Sequence, residues 1–133
     1  MTSDLYQAAK AARERAHAPF SGFKVGCALE TEDGGLVAAC NCESASYGLT
    51  CCAERAAIFK AISEGKKPGK RVCVVADTAE PTPPCGACRQ WLWEWGGDLE
   101  VVLGNLQGET SRWRMSQLLP APFDARLLGC AVG

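Results

Sequence analysis

The chain has 133 residues, of which 47% are hydrophobic, so it can bury a core of its own as one domain over residues 1–133. Its formal net charge of −1 gives no general attraction to phosphate backbones, which disfavours a nucleic-acid partner. The first 16 residues, MTSDLYQAAKAARERA, are charged throughout and lack the apolar segment of a signal peptide. No apolar run approaches the ~18 residues of a membrane span, so we expect a cytoplasmic protein without a membrane partner.

The predicted elements alternate between helices and strands. In chain order they are a helix over residues 4–16, strands over 23–30 and 36–40, a helix over 51–64, a strand over 71–77, a helix over 85–95, and strands over 99–104 and 110–115. Thr50 is the expected N-cap of the second helix, and Gly65 its stop. Because about five residues separate the last two strands, too few for a parallel crossover, that pair should be antiparallel. The pattern predicts an α/β fold, a three-layer helix–sheet–helix sandwich around a mixed five-stranded sheet.

The chain contains nine cysteines and no export signal. In a reducing cytosol, thiols pack as small hydrophobic side chains, bind metals or take part in catalysis, and they rarely form structural disulfides. The odd count also argues against a fully paired set. We expect six of the nine to be packing residues rather than ligands: Cys27, Cys40, Cys42, Cys51, Cys73 and Cys130.

Two cysteines three residues apart, Cys85 and Cys88, fall on the first turn of the third predicted helix. Side chains at this spacing point the same way, and the free N–H groups and dipole of a helix N-terminus favour thiolates. This geometry suits a redox pair and a metal site equally well, and a pair of packing thiols is a third interpretation. The motif alone does not choose among the three.

A second group lies about 30 residues upstream, in the stretch TCCAERAA. Cys52 falls on the first turn of the second predicted helix, and Glu54 follows two residues later. Three thiolates from two helix N-termini would give Zn²⁺ three protein ligands and leave its fourth position for water, which is the arrangement of a catalytic zinc site. A nearby carboxylate could then act as general acid and base. A closed structural site would need a fourth ligand, for which Cys51 or Cys73 could be proposed.

Together, CAE at 52–54 and PCGAC at 84–88 match the pattern of zinc deaminases, in which His or Cys, one residue and Glu precede Pro-Cys-x-x-Cys. The chain closely resembles the small homotetrameric cytidine deaminases over nearly its whole length. Beyond the zinc motif, four segments carry the resemblance: APFSGFKVGCAL (18–29), CNCESASYGLT (40–50), PCGACRQ (84–90) and LLPAPF (118–123).

The resemblance implies a zinc-dependent hydrolase of pyrimidine salvage, which converts cytidine and 2′-deoxycytidine into uridine and deoxyuridine and releases ammonia. It implies one Zn²⁺ per subunit, bound by Cys52, Cys85 and Cys88. Glu54 would carry protons to the base and to the departing amine. The only partner implied, apart from copies of the chain in a homotetramer, is the small nucleoside itself.

The resemblance also implies how the nucleoside is held. Phe23 would lie against the pyrimidine ring, and Asn41 and Glu43 would hold the ribose hydroxyls. The remaining substrate contacts, supplied in the family partly by neighbouring subunits, would be the backbone N–H of Ala53 and the side chains or backbone of Ala45, Tyr47 and Phe123.

One further role follows from charge. Three thiolates on a divalent zinc ion leave a net negative charge, which makes a bound water less acidic than in a site built from histidines. Arg55, next to Glu54, and the two helix N-termini are placed to draw electron density from the sulfurs.

Two alternatives are open at the level of sequence. The substrate could be a modified nucleoside, a nucleotide or a nucleoside antibiotic. In a different functional class, Cys85 and Cys88 could serve thiol redox chemistry without a bound metal, although this interpretation gives no role to Cys52 or Glu54.

Two groups of apolar residues point to subunit contacts. Trp91, Trp93 and Trp95 alternate along the third helix and cannot share one face, so we expect Trp91 or Trp95 to pack in the core or at a subunit contact. A small monomer would have difficulty covering the apolar C-terminal residues Leu118, Leu119, Phe123, Leu127 and Leu128.

Overall fold

The computed structural model of the protein describes residues 2–129. Its elements are α1 (Thr2–Arg13), β1 (Val25–Thr31), β2 (Leu36–Cys40), a 3₁₀ helix (Tyr47–Leu49), α2 (Ala53–Ser63), β3 (Pro68–Ala76), α3 (Gly86–Gly96), β4 (Glu100–Gly104), β5 (Thr110–Arg114), α4 (Met115–Leu118) and a second 3₁₀ helix (Ala125–Leu128). The predicted helices and strands are all present, and each of their ends lies within three residues of its expected position. The elements that were not predicted, α4 and the two 3₁₀ helices, have only three or four residues each, too few to show a periodic pattern.

The five strands form one mixed sheet in the order β2-β1-β3-β4-β5. Only β3 and β4 are parallel, and α3 makes the crossover between them. The other neighbouring strands are antiparallel, including β4 and β5, as the short connection predicted. No helix within residues 2–129 is long and apolar enough to cross a membrane.

Helices cover both faces of the sheet. On one face, Leu5 of α1 lies in an apolar cluster with Cys73 of β3. On the other, Ile58 of α2 and Leu92 of α3 lie in a second cluster with Val72, the neighbour of Cys73 in β3. Successive residues of β3 are therefore buried on opposite sides, which explains its continuous apolar sequence. The predicted three-layer sandwich is confirmed.

The start of α2 differs from the prediction. The helix begins at Ala53, and its N-cap is Cys52 rather than Thr50. Cys51 cannot join the helix because its backbone is paired with that of Cys42: each N–H donates to the other's carbonyl oxygen over 2.9 Å. The sequence near Thr50 contains no sign of this pairing with a residue nine positions away.

The cysteines outside the zinc motif are not equivalent. Cys27 and Cys73 are fully buried, as expected of packing residues. Cys40 and Cys51 are partly buried, whereas Cys42 is exposed and does not pack in the core. Cys130 lies outside the described residues.

The tryptophans of α3 contact different parts of the structure. Trp95 packs against the core, as expected, but so does Trp93, whose indole N–H also donates to Asp124 Oδ2 over 3.0 Å. Trp91 lies at the surface with its ring edge-to-face against Phe59, at a centroid distance of 4.9 Å.

Gly26 allows α1 to lie directly on β1, and this close approach can be tested. A Cβ at Gly26 would lie 1.9 Å from the carbonyl oxygen of Ala9 and 2.7 Å from the backbone nitrogen of Arg13. Because α1 would have to move, we expect Gly26→Ala to lower the free energy of unfolding by about 1–3 kcal/mol, measured by urea denaturation at one fixed protein concentration. The control is Gly48→Ala, where the added Cβ has no neighbour within 4 Å. Equal stability of the two variants would contradict this account of the packing.

Candidate active site

The N-termini of α2 and α3 bring three sulfurs together. Cys52 is the N-cap of α2, Cys85 is the N-cap of α3, and Cys88 lies in the first turn of α3. The Sγ atom of Cys85 is 4.0 Å from that of Cys52 and 3.5 Å from that of Cys88. All three sulfurs lie within 4.8 Å of one another, and neither N-cap side chain makes a capping hydrogen bond to its own helix.

This trio fits a zinc ion. A Zn–S bond of about 2.3 Å in tetrahedral geometry places sulfurs about 3.8 Å apart, close to the distances between these thiols. Within residues 2–129, the three cysteines are the only group of three or more His, Cys, Asp or Glu side chains close enough to share a metal. Of the two proposed fourth ligands, Cys73 lies in the cluster with α1, and the Cys51 thiol donates to the Cys52 carbonyl oxygen over 3.6 Å. The described residues therefore offer three protein ligands.

The thiols are electrostatically unequal, and Arg55 contributes to the difference. Hydrogen bonds from the Cys88 thiol and from Arg55 lower the pKa of Cys52 to about 5. The Arg55 contact runs from Nη2 to the Cys52 sulfur over 3.3 Å. The pKa of Cys88 is raised well above its usual range because its thiol donates to Cys52 and because it is buried. Arg55 thus lies beside the sulfur nearest to it in sequence, where the charge argument expects it.

Glu54 is buried at the same point. It is the second residue of α2, and only 4% of its surface is exposed, so it is not a solvated carboxylate at a helix start. Burial raises its pKa to about 7, and the nearby Cys52 thiolate acts in the same direction. A carboxyl group in this environment can hold or release a proton near neutral pH.

Cys52, Cys85 and Glu54 border a cavity of about 180 Å³. The residues that line it are Phe23, Val25, Asn41, Thr50, Cys52, Ala53, Glu54, Val74, Thr82, Pro83 and Cys85. The structure therefore brings the expected metal, acid–base and ring-stacking residues together, with Asn41 among them. Thr82 and Pro83 were missed by the sequence analysis, and their only signal is that they lie just before the PCGAC motif.

A second cavity, of about 340 Å³, adjoins the first and shares Thr50 with it. It holds Glu43 and Tyr47, with Phe20, Ser21 and Ser44. Two predicted substrate residues thus lie beside the first cavity rather than in it.

Asn41 and Glu43 have defined hydrogen-bond partners. Asn41 is buried, with 7% exposure; its side-chain oxygen accepts from Val25 N over 2.9 Å, and its amide donates to Phe23 O over 2.8 Å. Glu43 accepts from the backbone N–H groups of Phe20 and Ser21, each over 3.0 Å, and from the Ser21 hydroxyl. These hydrogen bonds, above all the one from the Ser21 hydroxyl, lower the pKa of Glu43.

Two expected substrate residues are not brought to either cavity. Ala45 is exposed and lines neither. Phe123 is 54% exposed, and Gln90 of α3 donates to its carbonyl oxygen over 2.7 Å. Their roles stay predictions.

Comparison with known proteins agrees with the geometry. Residues 1–105 match the family model of the cytidine and deoxycytidylate deaminase zinc-binding region. The chain is 52% identical to a cytidine deaminase of Halalkalibacterium halodurans over 91% of this chain and 92% of that one. It is 45% identical to a cytidine deaminase of Sporosarcina psychrophila, over 96% and 94% of the two chains.

A solved structure gives the same result. The crystal structure of cytidine deaminase from Burkholderia pseudomallei superposes with a TM-score of 0.89 at 51% identity, covering 92% of this chain and 99% of that one. This fold, with three clustered thiols and a buried carboxyl group beside them, defines a zinc-dependent hydrolytic deaminase. The chain belongs to the cytidine deaminase family, and the expected family, fold and zinc cofactor are confirmed.

Proposed function

We propose that the chain hydrolyses cytidine and 2′-deoxycytidine to uridine and deoxyuridine, with release of ammonia, as a cytoplasmic enzyme of pyrimidine salvage. One observation carries the proposal: two of the three clustered cysteines and a buried carboxyl group line a cavity together with Phe23 and Asn41. The test is loss of the cytosine absorbance band and release of ammonia when the purified protein is given cytidine or deoxycytidine. Absence of both would refute it.

Cys52, Cys85 and Cys88 would hold one Zn²⁺ per chain. The support is their mutual distance of at most 4.8 Å and the two helix N-termini, whose free N–H groups and dipoles stabilise negative sulfur. A zinc ion with three protein ligands supplies a water molecule activated as a nucleophile for attack on an sp² carbon. Arg55, hydrogen-bonded to Cys52, would reduce the negative charge of the ligand set.

Glu54 would carry the protons of the reaction. It lines the same cavity as Cys52 and Cys85, and it is held by the first turn of α2. Glu54 would take a proton from the attacking water and give it to N3 of the base. It would then take the proton of the hydroxyl added at C4 and give it to the amino group, so that ammonia leaves as the C4 carbonyl forms.

Residues of both cavities would contact the nucleoside. The ring of Phe23 would lie against the pyrimidine. Ala53 is the first residue of α2, so its N–H has no partner within the helix and is available to the base carbonyl. Asn41 and Glu43 would hold the ribose hydroxyls, and Ala45 and Tyr47 would complete the pocket.

A homotetramer would explain side chains that the single chain leaves uncovered. Tyr47, Phe123, Leu127 and Leu128 are all more than half exposed. Phe123 lines neither cavity of its own chain, which supports a role in the pocket of a neighbouring subunit. The proposed cytoplasmic location would keep reduced the eight free cysteines that the structure describes.

The metal ligands can be tested by single substitutions. The wild type should contain one zinc per chain by elemental analysis, and Cys52→Ser, Cys85→Ser and Cys88→Ser should each lose most of it. The matched control is Cys51→Ser, which changes the neighbouring thiol and should keep both metal and activity. Full zinc content in the three ligand variants, or loss of zinc only in the control, would contradict the assignment.

Glu54→Gln should keep the fold and the zinc but lower kcat at least ~10²–10⁴-fold, because the amide cannot transfer protons. Steady-state kinetics and metal analysis on the same sample measure both properties. Glu64→Gln is the control, since Glu64 is the C-cap at the other end of α2. Near-normal turnover of Glu54→Gln would rule out the proton-transfer role.

Arg55→Gln should weaken zinc binding about 10–100-fold, measured by competition with a chelator, because Cys52 loses a charged hydrogen-bond donor. With zinc saturating, the rate should reach its plateau only at higher pH, since the thiolates then donate more charge to the metal. Arg55→Lys keeps the charge and should be affected less. An unchanged chelator competition and an unchanged pH–rate profile would speak against this role.

A further inference from the structure

The hydroxyl of Ser21 joins two residues of the proposed nucleoside site. Ser21 lies in the exposed loop between α1 and β1. Its hydroxyl donates to Oε2 of Glu43, and it accepts a hydrogen bond from the backbone N–H of Phe23 over 2.9 Å. One oxygen atom thus connects the residue proposed for the ribose with the residue proposed for the base.

The chemistry of its two partners fixes which hydrogen bond the Ser21 hydroxyl donates and which it accepts. Hydrogen bonds hold the pKa of Glu43 below its usual range, so its carboxylate is ionised at neutral pH and can only accept. The N–H of Phe23 can only donate. The Ser21 hydroxyl must therefore accept from Phe23 and donate to Glu43, and both interactions depend on the same atom.

The hydrogen bonds that Glu43 already accepts within the chain determine how many it can still accept from a ligand. An ionised carboxylate offers about four lone-pair positions, two on each oxygen. The N–H groups of Phe20 and Ser21 both donate to Oε1, and the Ser21 hydroxyl donates to Oε2. One position, on Oε2, is left for an external donor such as a sugar hydroxyl.

Phe23 is fixed at its other end by Asn41. Its carbonyl oxygen accepts from the Asn41 side-chain amide over 2.8 Å, while its N–H is bound to Ser21. Gly22, with φ +70°, provides the turn between Ser21 and Phe23. Hydrogen bonds therefore hold the Phe23 backbone on both sides, at its N–H by Ser21 and at its carbonyl oxygen by Asn41.

We propose that Ser21 is a positioning residue that orients the Glu43 carboxylate toward the ribose, its own hydroxyl being oriented by the backbone N–H of Phe23. This inference rests on the proposed function. Because the side chain of Ser21 is exposed and does not belong to either apolar cluster, its loss should affect substrate binding much more than folding.

The main experiment compares Ser21→Ala with Ser21→Thr. Ser21→Ala should raise KM for cytidine on the order of tenfold, as expected for loss of a hydrogen bond to a charged group, with little change in kcat or zinc content. Ser21→Thr keeps the hydroxyl and should restore KM to within about threefold of the wild type. Ser63→Ala, an exposed serine at the end of α2, is the matched control.

A second ligand distinguishes a positioning role of Ser21 from a general disturbance of the binding site by its substitution. 2′,3′-Dideoxycytidine lacks both hydroxyls that Glu43 could bind, so its inhibition constant against cytidine should change less than about twofold in Ser21→Ala. In a double-mutant cycle, the effect of Ser21→Ala on the KM for cytidine should largely disappear in a Glu43→Ala background.

Three other results would each overturn a different part of this account. Equal weakening of cytidine and dideoxycytidine by Ser21→Ala, or no rescue by Ser21→Thr, overturns the positioning role and leaves the deaminase proposal intact. If Glu43→Ala weakens cytidine and dideoxycytidine equally, Glu43 is not the ribose partner, and the inference fails with it. A wild-type protein that deaminates neither cytidine nor deoxycytidine overturns the proposed function itself.

Discussion

The site depends on the close approach of two helix N-termini, those of α2 and α3. The sulfurs of Cys52 and Cys85, the N-caps of α2 and α3, are 4.0 Å apart, and Cys88 follows in the first turn of α3. Both helices lie on one face of the sheet, where Ile58 and Leu92 pack in the same apolar cluster. Ordinary core packing therefore sets the distance between the sulfurs. It also sets the position of Glu54, which is the second residue of α2.

The same construction explains why a charged cluster can exist at the edge of an apolar core. Negative sulfur is stabilised by the free N–H groups of two first turns and by the guanidinium of Arg55. Glu54 is instead held where burial disfavours its ionised form. Cys52 and Glu54, two residues apart, thus have opposite protonation preferences, which suit Cys52 to metal binding and Glu54 to proton transfer.

Much of this arrangement could be predicted, because the signals are local. Helical and strand periodicity gave the order of the elements, and the short connection before β5 gave its antiparallel pairing. The contacts that could not be predicted join residues far apart in sequence. The pairing of Cys51 with Cys42 moves the start of α2, Ser21 reaches Glu43 across 22 positions, and Trp93 binds Asp124 across 31. Their geometry follows only from the folded chain.

The central claim is that three thiolates hold one zinc ion and leave one position open to solvent. X-ray absorption at the zinc edge measures this directly on freshly purified protein that has not met a chelator. The account predicts three sulfur neighbours at about 2.3 Å and one lighter neighbour at about 2.0 Å. A shell of four sulfurs, a shell of only two sulfurs, or a protein that binds no zinc at all would contradict it.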